Sequence, residues 1–280
     1  MRTPHPLDIF IHRWLRLPYR LRAKKMRRSR KAKLTVVLIH GIGNSLSAWD
    51  ELVRLLPEGT RVIGVDLLGF GQSPKPRWAR YNVVMQARSV AFTLLNMGIG
   101  RRWVVVGHSL GALVAIELAK RYPLLVKQLL LCSPPLYLSE QADAARKTIR
   151  RDDILKNIYR TVQRYPEQMI RLAPFAVKLG VANKSLELTN DNVAAYIGAL
   201  EASIINQTSL EDVRRVIIPT RILYGALDPV VIGSNIRAAA KLNERVTARR
   251  LMVGHEVTGQ YTKTVARELI GIVDALSGRS

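Results

Sequence analysis

A chain of 280 residues with 48% hydrophobic content suits one large domain with an insertion, and is too apolar to be disordered throughout. Its single cysteine excludes an intrachain disulfide, and no apolar run reaches the length of a membrane span. The formal net charge of +23 implies attraction to anionic surfaces, whether membrane headgroups, nucleic acid or acidic metabolites, and residues 1–33 hold twelve Lys or Arg against one acid, Asp8.

The N-terminus has charge but no apolar h-region, so no secretory signal is expected. Residues 7–17 are predicted to be helical. At about 100° per residue, Leu7, Phe10, Ile11, Trp14, Leu15 and Leu17 share one broad face. His12, Arg13 and Arg16 fall on the other, Ile9 is the exception, and Pro18 stops the helix. Tyr19, Leu21 and Ala23 then alternate with Arg20, Arg22 and Lys24, the period of a strand with one wet face. Met26 to Lys33 reads as a polar turn, so a hairpin is expected, its first strand a basic edge of the sheet. Charge on an edge blocks further strand pairing.

Leu34 to Ile39 is predicted as a buried strand, followed by the glycine loop His40-Gly-Ile-Gly-Asn44. Ser47 to Leu56 is the next helix, with Asn44 or Ser45 near its cap. Val62 to Val65 is a third strand and ends in a glycine turn, Asp66 to Ser73. A helix from about Asn82 to Met97 leads into Val104-Val105-Val106, whose β-branched side chains suit a strand buried on both faces. Gly107-His108-Ser109-Leu110-Gly111 follows, and then a helix pattern through Ala119 to Tyr122-Pro123. Val126 to Cys132 is a further strand, with Cys132 expected in the core.

From Ser139 to about Asn206 the patterns are helical, broken at Pro166 and Pro174. Strand signals return at Thr220 to Tyr224 and at Val246 to Val253, and a helix from about Thr258 to Leu276 closes the chain. Strands alternating with helices predict an α/β fold with a doubly wound, mostly parallel sheet. The expected organisation is an N-terminal amphipathic helix at 1–17 and a body at 18–276. A helical lid at about 136–212 is expected over the sheet's carboxyl edge.

The chemistry centres on Ser109, placed on a sharp strand-to-helix turn with glycine at both ends. A side chain at Gly107 or Gly111 would collide with neighbouring backbone. The turn lifts the hydroxyl clear of the sheet at the positive end of the following helix. A serine hydroxyl needs a base, and the base needs a carboxylate to hold its other nitrogen. Among five histidines, His255 lies just past the last strand. Asp228 lies just past the preceding one, with Glu211 and Asp212 as rival acids. Two backbone N–H groups should stabilise a developing oxyanion: Leu110, next to the nucleophile, and Ile42, in the early glycine loop. His40 and His108 are expected to be hydrogen-bonded loop residues, and Asp66 to tie its turn. No cluster has the sequence spacing of metal ligands.

In motif order the chain resembles the α/β-hydrolase superfamily, in its serine esterase and lipase branch. The resemblance rests on His40-Gly41, Asp66-x-x-Gly-x-Gly-x-Ser73, Gly107-x-Ser-x-Gly111, Gly225-x-x-Asp228 and Gly254-His255, and covers about residues 18–276. The oxyanion loop is of the single-glycine type. Leu68 stands where the family usually has proline, and one early strand is visible where the family usually has two. The resemblance implies hydrolysis of a carboxylic ester or related acyl bond through an acyl-enzyme. Ser109 would be the nucleophile, His255 the base and Asp228 its partner, with no cofactor or metal. A carbon–carbon bond hydrolase, a thioesterase or a cofactor-free perhydrolase would use the same residues.

A reading of another class makes the chain an idle hydrolase scaffold that binds anionic membrane or nucleic acid. Nucleic acid is disfavoured, because aromatics are only 6% and no base-reading motif accompanies the charge. The expected partners are a small acyl substrate and, through residues 1–33, an anionic membrane surface. The expected location is cytoplasmic, peripheral on the inner membrane face. The apolar face of the N-terminal helix has two destinations that sequence does not separate, the body of the protein or a bilayer.

Overall fold

Six strands run parallel: β2 (Thr35–Ile39), β3 (Val62–Val65), β4 (Trp103–His108), β5 (Val126–Cys132), β6 (Thr220–Gly225) and β7 (Val246–Leu251). A seventh, β1 (Ala23–Arg27), pairs antiparallel with β3, and the sheet order is β1-β3-β2-β4-β5-β6-β7. The computed structural model describes residues 6–100, 102–137, 160–161, 163–178, 186–205 and 208–278.

Among the described residues the α-helices are α1 (Pro6–Ile9), α2 (Asp50–Leu55), α3 (Val83–Asn96), α4 (Leu110–Arg121), α5 (Pro166–Lys178), α6 (Val193–Ala199), α7 (Ser209–Arg214), α8 (Gly233–Leu242) and α9 (Gln260–Ser277). Two cores follow from strand alternation. Val37, Ile39 and Val105 point to one face and pack with Val90 and Leu94 of α3 and Leu113 of α4. Val36, Leu38, Val104 and Val106 point to the other and pack with Leu52 of α2 and Val265 and Leu269 of α9. Every residue of β2, β3 and β4 is buried, which is why these strands read as continuous apolar runs and not as alternating ones.

The strand order reverses at β2. The chain steps from β2 outward to β3, then returns to lay β4 on the other side of β2. A reversal of this kind leaves a crevice at the carboxyl ends of the two central strands. The His40 loop leaves β2 there, and Gly107-His108-Ser109 leaves β4 beside it.

Several expectations are corrected. There is no hairpin between β1 and β2, since β1 pairs with β3, which lies between them. The edge position of the basic strand is as expected, but the strand starts at Ala23. The N–H groups of Tyr19 and Leu21 donate instead to Ser89 Oγ (3.0 Å) and Thr93 Oγ1 (2.8 Å) of α3, so that stretch has side-chain partners and not a ladder. The N-terminal helix is shorter than 7–17. One α turn passes into a π turn, Phe10–Trp14, and Arg16, with φ of 52°, ends it before Pro18.

Helix α8 was not foreseen. Its buried face is narrow, with Ile236 and Ala239 the fully covered side chains. In the expected lid, 138–159, 162, 179–185 and 206–207 lie outside the described residues, and the described remainder is helical or loop. One part of it, 186–205, rests on the sheet's carboxyl-edge loops: Glu187 N–H donates to Gly43 O (2.9 Å), and Ser203 Oγ donates to Tyr81 O (2.7 Å). Helix α7 packs against α4 and α8 and belongs to the body.

Candidate active site

The elbow at Ser109 is built by close backbone approach. A Cβ on Gly107 would lie 2.3 Å from Gly111 O, and one on Gly111 would lie 2.2 Å from Ile39 O. Both are far inside contact distance, so glycine is required at each end. Between them Ser109 adopts φ 51° and ψ −117°, a conformation side chains rarely take. Its N–H donates to Cys132 O (3.0 Å), tying the turn to β5. Leu110 is the first residue of α4, where a helix N–H has no carbonyl of its own helix to meet.

Residues far apart in sequence converge on this hydroxyl. His255 Nε2 lies 3.1 Å from Ser109 Oγ, and His255 Nδ1 lies 2.7 Å from Asp228 Oδ2. Asp228 is buried, and its other oxygen accepts from the N–H groups of Val230 (2.8 Å) and Val231 (3.2 Å). Burial by itself would raise the Asp228 carboxyl, but the contacts with His255, Val230 and Ser133 outweigh it and hold the group below its ordinary value. For His255 burial favours the neutral ring, while the bond to Asp228 and the charges of Asp228 and Glu256 outweigh it and lift the pKa above 6.5. The expected nucleophile, base and acid therefore meet.

The rival acids do not join them. Asp212 pairs with Lys120 (2.9 Å), and Glu211 pairs with Arg214 (2.6 Å). The loop carrying Ile42 abuts the elbow. A Cβ on Gly41 would stand 2.9 Å from His108 Nδ1 and 3.4 Å from Ser109 Cβ. His40 fixes that loop: its Nδ1 donates to Gly41 O (2.7 Å) and its Nε2 accepts from Leu67 N–H (2.9 Å). Burial pushes the His40 pKa down, which keeps the ring neutral for this pair of roles. Asp66 ties its turn as expected, accepting from Leu46 N–H (2.6 Å) and Gln72 N–H (2.9 Å). The first of these bonds supplies a partner at the helical entry where Ser45 makes no side-chain cap.

His108, His255 and Glu256 bring potential ligand atoms within 4.8 Å of one another, a grouping that their spacing in sequence did not suggest. It is poorly suited to a metal. Both ring nitrogens of His255 are engaged, and His108 Nε2 is committed to the His255 carbonyl at 3.0 Å. Sequence reasoning missed Ser133 and Tyr261. Tyr261 donates to Leu223 O (2.8 Å) and lies 3.3 Å from Ser133 Oγ, forming a buried polar floor next to Asp228. The available signal was the place of Ser133 at the carboxyl end of β5, between the strands that lead to Ser109 and Asp228.

The sequence profile described as "alpha/beta hydrolase fold" matches residues 35–256, most of the chain. The chain belongs to the α/β-hydrolase family. Among curated relatives, an uncharacterized protein of Mycobacterium tuberculosis is 43% identical over 98 residues, which is 35% of this chain and 28% of the relative. The probable lysophospholipase BODYGUARD 2 of Arabidopsis thaliana is 30% identical over 142 residues, 48% of this chain and 30% of that protein. The matches thus span less than a third of those relatives' lengths. Among solved structures, an esterase from Exiguobacterium antarcticum superposes with a TM-score of 0.74, covering 91% of this chain and 94% of that one. At 16% identity that likeness concerns the fold alone.

Proposed function

We propose that this α/β-hydrolase is a serine hydrolase that cleaves a carboxylic ester or related acyl bond through an acyl-enzyme. The observation that carries the reading is the relay Ser109 Oγ–His255 Nε2 (3.1 Å) and His255 Nδ1–Asp228 Oδ2 (2.7 Å), set on an elbow. Ser109 Oγ attacks the acyl carbon while its proton passes to His255 Nε2. The imidazolium so formed is stabilised by Asp228, which stays ionised. The oxyanion is held by the N–H groups of Ile42 and Leu110. When the tetrahedral species collapses, His255 returns its proton to the leaving oxygen. Water, deprotonated by the same histidine, then releases the acid and restores Ser109. The steps use groups of the chain together with one water molecule per turnover.

The name of the Arabidopsis relative makes single-chain phospholipids sensible first substrates beside short nitrophenyl esters. The deciding experiment is covalent labelling with a fluorophosphonate probe. The wild type should label and turn over ester, and Ser109→Ala should do neither while melting as the wild type does. Labelling that persists in Ser109→Ala would remove the assignment.

A further inference from the structure

The N-terminal segment holds large apolar side chains out in water. Trp14 is 74% exposed, Phe10 and Leu15 are each 53% exposed, and Leu17 is 46% exposed. This is not the fraying of a loose end. The segment is fastened just behind these side chains by the Tyr19 and Leu21 bonds to α3, and the Tyr19 ring stacks on His12 with centroids 3.8 Å apart. His12 Nδ1 in turn meets Leu17 O at 2.9 Å. The chain is tied to the body through these polar contacts and the buried Tyr19 and Leu21, while Phe10, Trp14, Leu15 and Leu17 stay exposed.

Charge narrows what can cover them. Residues 1–33 carry twelve basic residues and one acid, Asp8. Arg13, Arg16, Arg20, Lys24, Lys25 and Arg28 are all exposed, on the turn itself and along the adjoining edge strand. A second copy adding a strand at β1 would set lysine against lysine. A nucleic acid would use the cations, but it offers nothing to exposed leucines. An anionic bilayer matches both features at once. Aromatic and aliphatic groups enter the boundary between headgroups and acyl chains, and Lys and Arg stay with the headgroups. Neither signal alone anchors a protein firmly, whereas the two together do.

We infer that residues 6–33 form a docking surface for an anionic lipid bilayer, with Phe10, Trp14, Leu15 and Leu17 entering the headgroup boundary and the following Lys and Arg residues lying on the charged surface. No helix among the described residues is long and apolar enough to cross a membrane, so the segment rests on the bilayer. The body is then held at the lipid surface through the β1 edge of its sheet.

The test is sedimentation of the intact protein with vesicles of phosphatidylcholine alone and of phosphatidylcholine mixed with phosphatidylglycerol. Binding should require the anionic lipid and weaken as salt rises. The double variant Phe10→Ser with Trp14→Ser should bind at least about 10-fold more weakly and melt near the wild-type temperature, because both side chains are exposed and lie outside the buried core. Lys24→Gln and Lys25→Gln should each weaken binding on the order of 5-fold, the effect of one cation near a charged leaflet. Three results would overturn the inference. One is an intact protein that ignores anionic vesicles at low salt. Another is a double variant that binds them as the wild type does or melts well below it. The third is salt-sensitive binding to duplex DNA without sedimentation on vesicles. These readouts involve no catalysis, so they stand or fall apart from the hydrolase reading.

Discussion

The side chain of His108 reaches across the candidate site to the backbone of His255: its Nε2–H donates to the His255 carbonyl at 3.0 Å. The residue beside Ser109 thus holds the loop that carries His255. Burial keeps the His108 pKa below its ordinary value, so the ring stays neutral, with its one proton on the nitrogen that faces the carbonyl. The position of His255 is therefore set from two sides, by Asp228 on the imidazole and by His108 on the backbone behind it.

Removing that tether should loosen the base without removing any reacting group. His108→Leu is expected to lower kcat by roughly 10- to 100-fold, the scale of a misplacement near 1 Å, and to slow fluorophosphonate labelling in parallel. His108→Gln, which keeps an N–H donor, should recover part of the loss. Equal rates for the two variants would mean that the carbonyl contact has no part in positioning His255.

Asp228 and His255 should act as a unit with Ser109. Asp228→Asn and His255→Ala are each expected to cost about 10³-fold or more in kcat/KM on a soluble ester. Asp212→Asn should leave turnover near normal, because Asp212 is bound to Lys120 in the last turn of α4, at the opposite end of that helix from Ser109. A large loss in Asp212→Asn with little change in Asp228→Asn would transfer the acid's role to α7.

The meeting of Ser109, Asp228 and His255 and the central strands were legible for a shared reason. Buried parallel strands announce themselves as short apolar runs, and in a doubly wound sheet each run ends at the edge where function collects. Ser109, Asp228 and His255 could therefore be ranked by what precedes them. Pairing that skips in sequence could not be read. Nothing in Ala23–Arg27 distinguishes a partner at Val62–Val65 from one at Thr35–Ile39, so the expected hairpin was wrong. Helix α8 hid because it is short and alanines form much of its inner face. The links of Ser133 to Tyr261, 128 residues apart, and of His108 to His255, 147 apart, arise only when the sheet closes. Leu17 was legible as apolar, but whether it faced protein or water was not.

The two elbow glycines should tolerate no side chain. Gly111→Ala would set its Cβ 2.2 Å from Ile39 O, and the obstacle is backbone of a central strand that cannot swing away. Overpacking of this kind is expected to lower stability by about 1–3 kcal/mol and to displace the elbow, so activity should fall further than stability does. Gly271→Ala is the control, since a Cβ there meets nothing within 4 Å. It should melt at or above the wild-type temperature, as alanine is the better helix former. Denaturant melts and ester turnover of the two variants check both statements.

The pH dependence of turnover should place its acid limb above 6.5. In the proposed mechanism neutral His255 takes the proton of Ser109, so activity should fall as pH drops through the pKa of that ring. Burial lowers the pKa, but the bond to Asp228 and the charges of Asp228 and Glu256 raise it by more, so the net shift is upward. Glu256→Gln removes one of those charges and leaves the relay whole, so its limb should move toward lower pH with the plateau rate retained. Stability should run the other way. A histidine whose folded pKa is raised contributes stability that is fully present below 6.5 and is lost as pH climbs through the folded value. For Asp228, held below 3.8, the contribution is present above 3.8 and is lost as pH falls through its folded value. Profiles of kcat/KM on a soluble ester, with melting temperatures over the same buffers, test the two signs together. An acid limb below 6.5, or one that Glu256→Gln leaves in place, would show that His255 is not held in its protonated form by these carboxylates.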